Sequence, residues 1–300
     1  MKSLKARRII ANALIYFLLS LMALIWITPI VWIILQSFAG EGLGAQAKII
    51  PDPAQFTFNN YINLFANFTK GLTPGSDSKG YGGYFTTWFL NTLIIAIVST
   101  IISTLFTLGT AYALSRFRFN GRQTFMKINL IIGMFPGFLS MIIMYWVMKE
   151  IFHLQGNYWA MVIIYSAGAG GGYYISKGFF DTVSKSIDEA AMIDGANRAQ
   201  IFWSIILPLA KPIVIYTILT AFMAPWGEYI ASSYIIGLTA KENFTVAMGL
   251  YKMVSDNDLV MVYYGQYAAG SVCVSIPIVA LFFWLQKYYV SGITGGAVKG

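Results

Sequence analysis

Six stretches of this sequence are apolar over roughly the 20 residues that a helix needs to cross a hydrocarbon layer about 30 Å thick. They lie at about 12–38, 88–114, 126–148, 159–175, 213–238 and 267–289, and predict six membrane-spanning helices in an all-α chain. The turns SRFRFNGRQ and KEIFHLQGN between them are short. Residues 39–85 form a longer loop, irregular where Gly, Pro, Asn and Ser collect in LTPGSDSKGYGGY, with a short helix expected near Tyr61 to Ala66. The fourth run ends in SAGAGGGYY, Ser166 to Tyr174, where glycines serve either close helix packing or a helix break beside a cavity. Close packing is the expectation, because it is the commoner use of small residues.

One segment departs from the apolar pattern without being a mere turn. SKSIDEAAMIDGANRAQIFWSIILPLAKP, Ser184 to Pro212, carries three of the chain's twelve acids. Ser186 and Glu189 have the spacing of a capping box, which predicts a helix from about Ile187, and Gly195 is its natural stop. Two turns of helix do not persist alone in water, so this one has to be held by packing. Asn197 predicts the cap of a second short helix, in which Ile201 pairs with Ile205 and Phe202 with Ile206, and Pro208 and Pro212 bound its passage into the fifth run. Such a two-helix unit exposes Asp188, Glu189 and Asp194. It reads either as a docking element or as a linker lying on lipid headgroups, although interfacial helices favour Lys and Arg on their polar face.

Composition reinforces the membrane reading: 57% of the 300 residues are hydrophobic, 11% are charged and the mean hydropathy is +0.65. The first run is too long, and lacks the small-residue cleavage site, to be a removed signal peptide. Lys and Arg set the orientation. With the N-terminus inside, fourteen of the twenty fall on the cytoplasmic side and six outside, so both termini and the segment 184–212 are expected in the cytoplasm. The net charge of +8 is met by this asymmetry and by attraction to anionic lipid, and calls for no nucleic acid. Cys273, the one cysteine, excludes an intrachain disulfide. His153, the one histidine, sits in an external turn with few partners for a metal or a general base, so no metal and no cofactor is expected.

The segment 184–212 resembles the EAA loop of bacterial ATP-binding-cassette (ABC) import permeases. Glu189, Ala190 and Ala191, three residues, Gly195, and then Ile205, Leu207 and Pro208 match its pattern without a gap. Asp194, Ala196, Phe202 and Pro212 agree as well. In that family the loop is the coupling helix that docks in a cleft of a cytoplasmic ATPase. The resemblance assigns Glu189 as a charged anchor and Ala190, Ala191 and Gly195 as residues that permit close approach. The ending QKYYVSGITGGAVKG is similar to the C-terminal tail of the MalG-type subunit of maltose and maltodextrin importers, which reaches into the ATPase dimer. This implies that Gly292, Gly295 and Gly296 thread between partners and that Lys299 offers a charge there. FTFNNYINLF and PWGEY are similar to elements of the same carbohydrate-permease family, which more often has Asn where this chain has Gly227.

The likeness covers nearly the whole chain. It implies a single permease domain over 1–300 with the six transmembrane helices of the type I ABC importer fold, a coupling loop at 184–212 and a tail at 290–300, in a bacterial cell membrane. It further implies a second, MalF-like permease subunit, a pair of cytoplasmic ABC ATPases, an external sugar-binding protein and an oligosaccharide cargo. Maltodextrin is the first expectation, with galacto-oligosaccharide or raffinose-type sugars as alternatives. The chain is not expected to be an enzyme, since it lacks a G-x-x-x-x-G-K-[ST] phosphate loop. Glu228, beside Trp226 and Tyr229, reads either as part of a translocation path at membrane depth or as a residue of the outer interface. An ion-driven secondary transporter would carry several such intramembrane charges, and an intramembrane enzyme would need a catalytic cluster. A pure scaffold predicts partner binding without sugar flux.

Overall fold

A computed structural model describes residues 2–40, 51–66, 81–168, 172–255 and 257–297. Every element among them is helical. In chain order they are α1 (Lys2–Ser37), α2 (Asn59–Leu64), α3 (Phe85–Arg116), α4 (Arg122–Gly133), α5 (Gly137–Glu150), α6 (Trp159–Ala167) and α7 (Tyr173–Thr182). There follow α8 (Lys185–Ile193), α9 (Arg198–Leu209), α10 (Lys211–Met223), α11 (Ile230–Ile236), α12 (Val246–Val254) and α13 (Asn257–Ala297). The short helix expected near Tyr61 is α2; most of LTPGSDSKGYGGY lies outside the described residues.

Among the described residues three helices are long and apolar enough to cross a membrane unaided: α1 over Arg8–Ser37, α3 over its whole length, and α13 over Val262–Tyr288. The third and fifth predicted runs are broken. Pro136 has no amide hydrogen and sits extended (φ −57°, ψ 123°), so α4 and α5 meet at a 100° bend. Pro225 forces the end of α10 into the 3-10 turn Ala224–Trp226, after which α11 starts afresh. A second bend, of 86°, separates α9 from Lys211–Trp226. Counting each bent pair as one span gives five; the fourth expected span, 159–175, falls on α6 and the start of α7, each too short to cross by itself.

The chain divides into two compact units. In the first (Met1–Tyr84 with Lys252–Cys273), the end of α1 is pinned to α2. Buried Asn60 donates from Nδ2 to the carbonyls of Ser37 (3.0 Å) and Ala39 (2.8 Å), and the hydroxyls of Ser37 and Tyr61 lie 2.8 Å apart. Phe38 packs edge-on against Phe58, with ring centroids 5.3 Å apart. Gly265 lets α13 approach this knot, since a Cβ there would lie 2.3 Å from Asn60 Oδ1.

The second unit (Phe85–Tyr251 with Val274–Gly300) is organised around α3, which packs on α6, α7 and α10. At its start, Trp88 Nε1 donates to the Lys241 carbonyl (2.8 Å), Asn91 Nδ2 bridges the carbonyls of Glu242 and Phe244, and Thr92 Oγ1 accepts from Val246 N. The Trp88 indole, fully buried, lies flat on Gly249 of α12, where an added Cβ would come within 1.9 Å of the ring. Gly249→Ala is therefore expected to cost about 3 kcal/mol, the upper range of overpacking, because the indole is fixed by its hydrogen bond. Thermal inactivation of the solubilised protein checks this; an unchanged midpoint would contradict it.

Candidate functional site

The polar segment forms the two helices that its caps predict, with one shift at the start. The first cap is Ser184, whose Oγ accepts from the amide of Ser186 (3.3 Å), so α8 begins at Lys185. Ser186 and Glu189 make no capping box; both lie inside the helix. At the other end Gly195 takes φ +87° and closes a Schellman motif: its amide bonds to Met192 O (3.1 Å) and that of Ala196 to Ala191 O (2.9 Å). A side chain at 195 would strain this stop, which is the physical reason for a glycine there. Asn197 and Gln200 do form a capping box, with both bonds at 2.8–2.9 Å. Ile201–Ile206 of α9 is wound as a π-helix, and the turn at Ala210, between Pro208 and Pro212, makes the bend into α10.

Packing holds this short unit in place. Ala191, Ile201, Ile206 and Ala210 join Tyr112 and Leu114 of α3 and Tyr173 and Phe180 of α7 in one buried cluster. Tyr112 packs against Phe202 with the rings tilted and their centroids 4.9 Å apart. The sequence placed Asp188 on the exposed face, and this needs correction. Asp188 points inward, and its Oδ2 lies 3.1 Å from Nε of Arg116, the side chains being 5% and 1% exposed. Its spacing of three from buried Ala191 puts it on the packed side of α8. Arg116 also donates from Nη2 to the Val183 carbonyl (3.0 Å), joining the end of α3 to the entry of α8. Arg116 is the residue that sequence reasoning missed, having read it only as one of the inner basic charges.

Nearby, Asp181 accepts from Ser115 Oγ and from Lys177 Nζ, each at 2.6 Å. Burial pushes the Asp181 carboxyl up, but the bonds from Lys177 and Ser115 outweigh that push and hold it below its ordinary value.

The motif residues thus divide between two roles. Ala191 is buried and serves the internal cluster, against the expectation of a partner contact, and Leu207 packs on the same cluster. Glu189, Ala190, Asp194, Gly195 and Pro208 are exposed, as are Met192 and, at 87%, Ile193. One face of α8 is bolted to the bundle, and the other offers a carboxylate flanked by apolar side chains.

The remaining candidates lie apart from this loop. Glu228 is half-buried, and its Oε1 accepts from the Ala231 amide (2.8 Å), capping α11. Trp226 is buried edge-on against Phe89, and Tyr229 packs against Tyr251 with tilted rings and centroids 4.0 Å apart. Gly292, Gly295 and Gly296 belong to the helical backbone of α13, whereas Lys299 lies outside the described residues. Gly168, expected at a helix contact, borders a cavity instead: a Cβ there would meet nothing within 4 Å.

The sequence profile described as "Binding-protein-dependent transport system inner membrane component" matches residues 106–295. The galactooligosaccharides transport system permease protein GanQ of Bacillus subtilis is 35% identical over 298 residues, 99% of each chain. The maltodextrin transport system permease protein MalD of Streptococcus pneumoniae is 36% identical over 303 residues, again 99% of each. The fold is similar to that in a crystal structure of a bacterial ABC transporter involved in the import of the acidic polysaccharide alginate. There the TM-score is 0.74 at 24% identity, over 93% of this chain and 96% of that one. Apolar helices and an anchored loop carrying the EAA motif define the permease subunit of an ABC importer, embedded in the membrane. The chain belongs to the binding-protein-dependent transport system inner membrane component family. In this family the permease is not the enzyme, and ATP is hydrolysed by separate ATPase subunits.

Proposed function

We propose that this chain is the MalG-like half of a permease heterodimer that imports neutral oligosaccharides, maltodextrin first among them. Its partners are a MalF-like second permease, a pair of cytoplasmic ATPases and an external sugar-binding protein. The observation that carries the coupling role is the division of α8: Asp188 and Ala191 lock it inward while Glu189, Ala190, Met192 and Ile193 face out. An exposed carboxylate ringed by apolar side chains suits a cleft with a basic residue at its base. The excess of Lys and Arg on one side supports a cytoplasmic placement of this loop and of both termini. Gly292, Gly295 and Gly296 bring no side chain to the last turns of α13, which supports a tail in close contact with the ATPases, with Lys299 as its charge.

ATP-driven closure of the ATPases would then pull α8. The pull passes into α3 through the Arg116–Asp188 contact and the buried cluster, rocking the helices between inward-open and outward-open states. Maltodextrin rests on the likeness of the tail and on the relatives that carry that cargo in their names; the galacto-oligosaccharide relative marks the alternative.

Uptake of labelled maltotriose, a galacto-oligosaccharide and raffinose by cells deleted for this gene and complemented with it tests the reading. ATP-dependent maltotriose uptake is the expected result. Uptake of only another neutral sugar changes the cargo and keeps the machine, whereas uptake that persists after ATP depletion contradicts the reading.

A further inference from the structure

Midway along α3, within the second unit, lies a cavity of about 400 Å³ walled by α3, α6, α7 and α10. Its size is at the lower end of the range for ligand sites, which suits one end of an oligosaccharide rather than its whole length. Ser99, Ser103 and Thr107 of α3 line it at successive four-residue steps, Thr217 and Thr220 face it from α10, and Tyr165 from α6. None of the described residues that line it is charged. The hydroxyls of Ser99, Thr217 and Thr220 each donate to their own helix one turn back, to Ile95 O (2.6 Å), Ile213 O (2.8 Å) and Tyr216 O (2.9 Å). Their protons are committed, and the lone pairs that remain can only accept. The Tyr165 side chain borders the cavity, but its Oη is closed off and has no hydrogen-bond partner among the described residues, so it becomes a donor only when the ring turns toward a ligand.

Such a wall favours a ligand rich in hydroxyl donors. It serves an anion badly, because it turns lone pairs toward it with no cation, and it lacks the carboxylates that would draw a metal ion. The rings of Tyr165 and Tyr216, with Ile164, provide apolar surface of the kind that a sugar's C–H face packs against. We propose that this subunit itself holds the neutral sugar in this cavity during its passage, at a contact site lined by residues other than Glu228, Trp226 and Tyr229. The proposal rests on the reading of neutral-oligosaccharide import. It also gives the glycine tract a use: at Gly168 any larger side chain would enter the space reserved for cargo.

The test uses the complete transporter, with its second permease, ATPases and binding protein, in proteoliposomes, and reads sugar transported per ATP hydrolysed. Gly168→Leu, whose side chain meets open space, is expected to lower that ratio by about tenfold while hydrolysis stays within about twofold. Tyr165→Phe, which removes one oxygen, is expected to lower it by about threefold to fivefold, the worth of one hydrogen bond. A second readout is direct: in a Cys273→Ala background, Thr220→Cys is expected to react more slowly with a maleimide when maltotriose is present. Wild-type ratios for both variants, with no protection of the cysteine, would overturn the proposal alone. So would an equal fall in hydrolysis and transport for Gly168→Leu with Tyr165→Phe silent, which would make the cavity a hinge space for helix movement. A wild-type transporter that carries only charged oligosaccharides would instead remove the neutral-cargo reading, and this site with it.

Discussion

Glu189→Lys is expected to abolish uptake while leaving the chain in the membrane at normal abundance. Glu189 is exposed on α8 and makes no hydrogen bond or ion pair with the described residues, so its replacement costs the permease itself within about 0.5 kcal/mol. Across an interface the balance differs. Removing one member of a desolvated charge pair costs about 2–5 kcal/mol, and reversing its sign adds repulsion to the loss. Taking 1.4 kcal/mol per factor of ten, even the lower figure weakens ATPase docking more than tenfold. Co-purification of the ATPase with the permease, measured beside uptake, separates this outcome from misfolding. Glu189→Gln, which keeps the shape and loses the charge, is expected to fall between. Normal uptake by Glu189→Lys would remove the coupling role from this residue.

The second large effect is expected at the contact that fastens α8 to α3. The side chains of Arg116 and Asp188 are both almost wholly buried, and beyond the Nε–Oδ2 ion contact Arg116 Nε and Nη1 and Asp188 Oδ1 have no hydrogen-bond partner among the described residues. Intact, such a pair adds little net stability, because desolvation offsets the attraction. Removing one partner leaves the other charge stranded, so Arg116→Met or Asp188→Leu alone is expected to cost about 3–5 kcal/mol. Replacing both together is expected to recover most of that loss. The informative readout is uptake in the doubly substituted chain. If the ion pair transmits the pull of the ATPases, abundance recovers while sugar moved per ATP stays low. Full recovery of both would show that the pair only fills space, and a double variant as unstable as the singles would contradict the energetic account.

Much of the fold was legible because long apolar runs dominate it. The runs at 12–38, 88–114 and 267–289 correspond to α1, α3 and α13. The breaks were harder to see. Hydropathy averages over a window and does not register a missing amide hydrogen, so the third and fifth runs read as continuous. Proline alone does not decide the matter either: Pro29 and Pro277 lie inside unbroken helices, whereas the third and fifth runs break where glycine stands close by, at Pro136–Gly137 and Pro225–Gly227, and the bend at Ala210 falls between two prolines with no glycine near. In the loop, Gly195 and Asn197 were readable because stops and caps are local chemistry. Asp188 was misplaced because its partner, Arg116, is distant in sequence. Ser99, Ser103 and Thr107 were overlooked because three hydroxyls scarcely alter the mean hydropathy of a 32-residue helix, although their spacing of four places them on one face.

The central claim is that the outward face of α8 is where ATP-driven motion enters this chain. Its most direct test is a photoactivatable phenylalanine analogue in place of Ile193, irradiated in membranes that contain the whole transporter. The account predicts a covalent adduct between this chain and the ATPase subunit, with a yield that changes when ATP is added. Adducts to lipid alone, with the ATPase present and active, would contradict it.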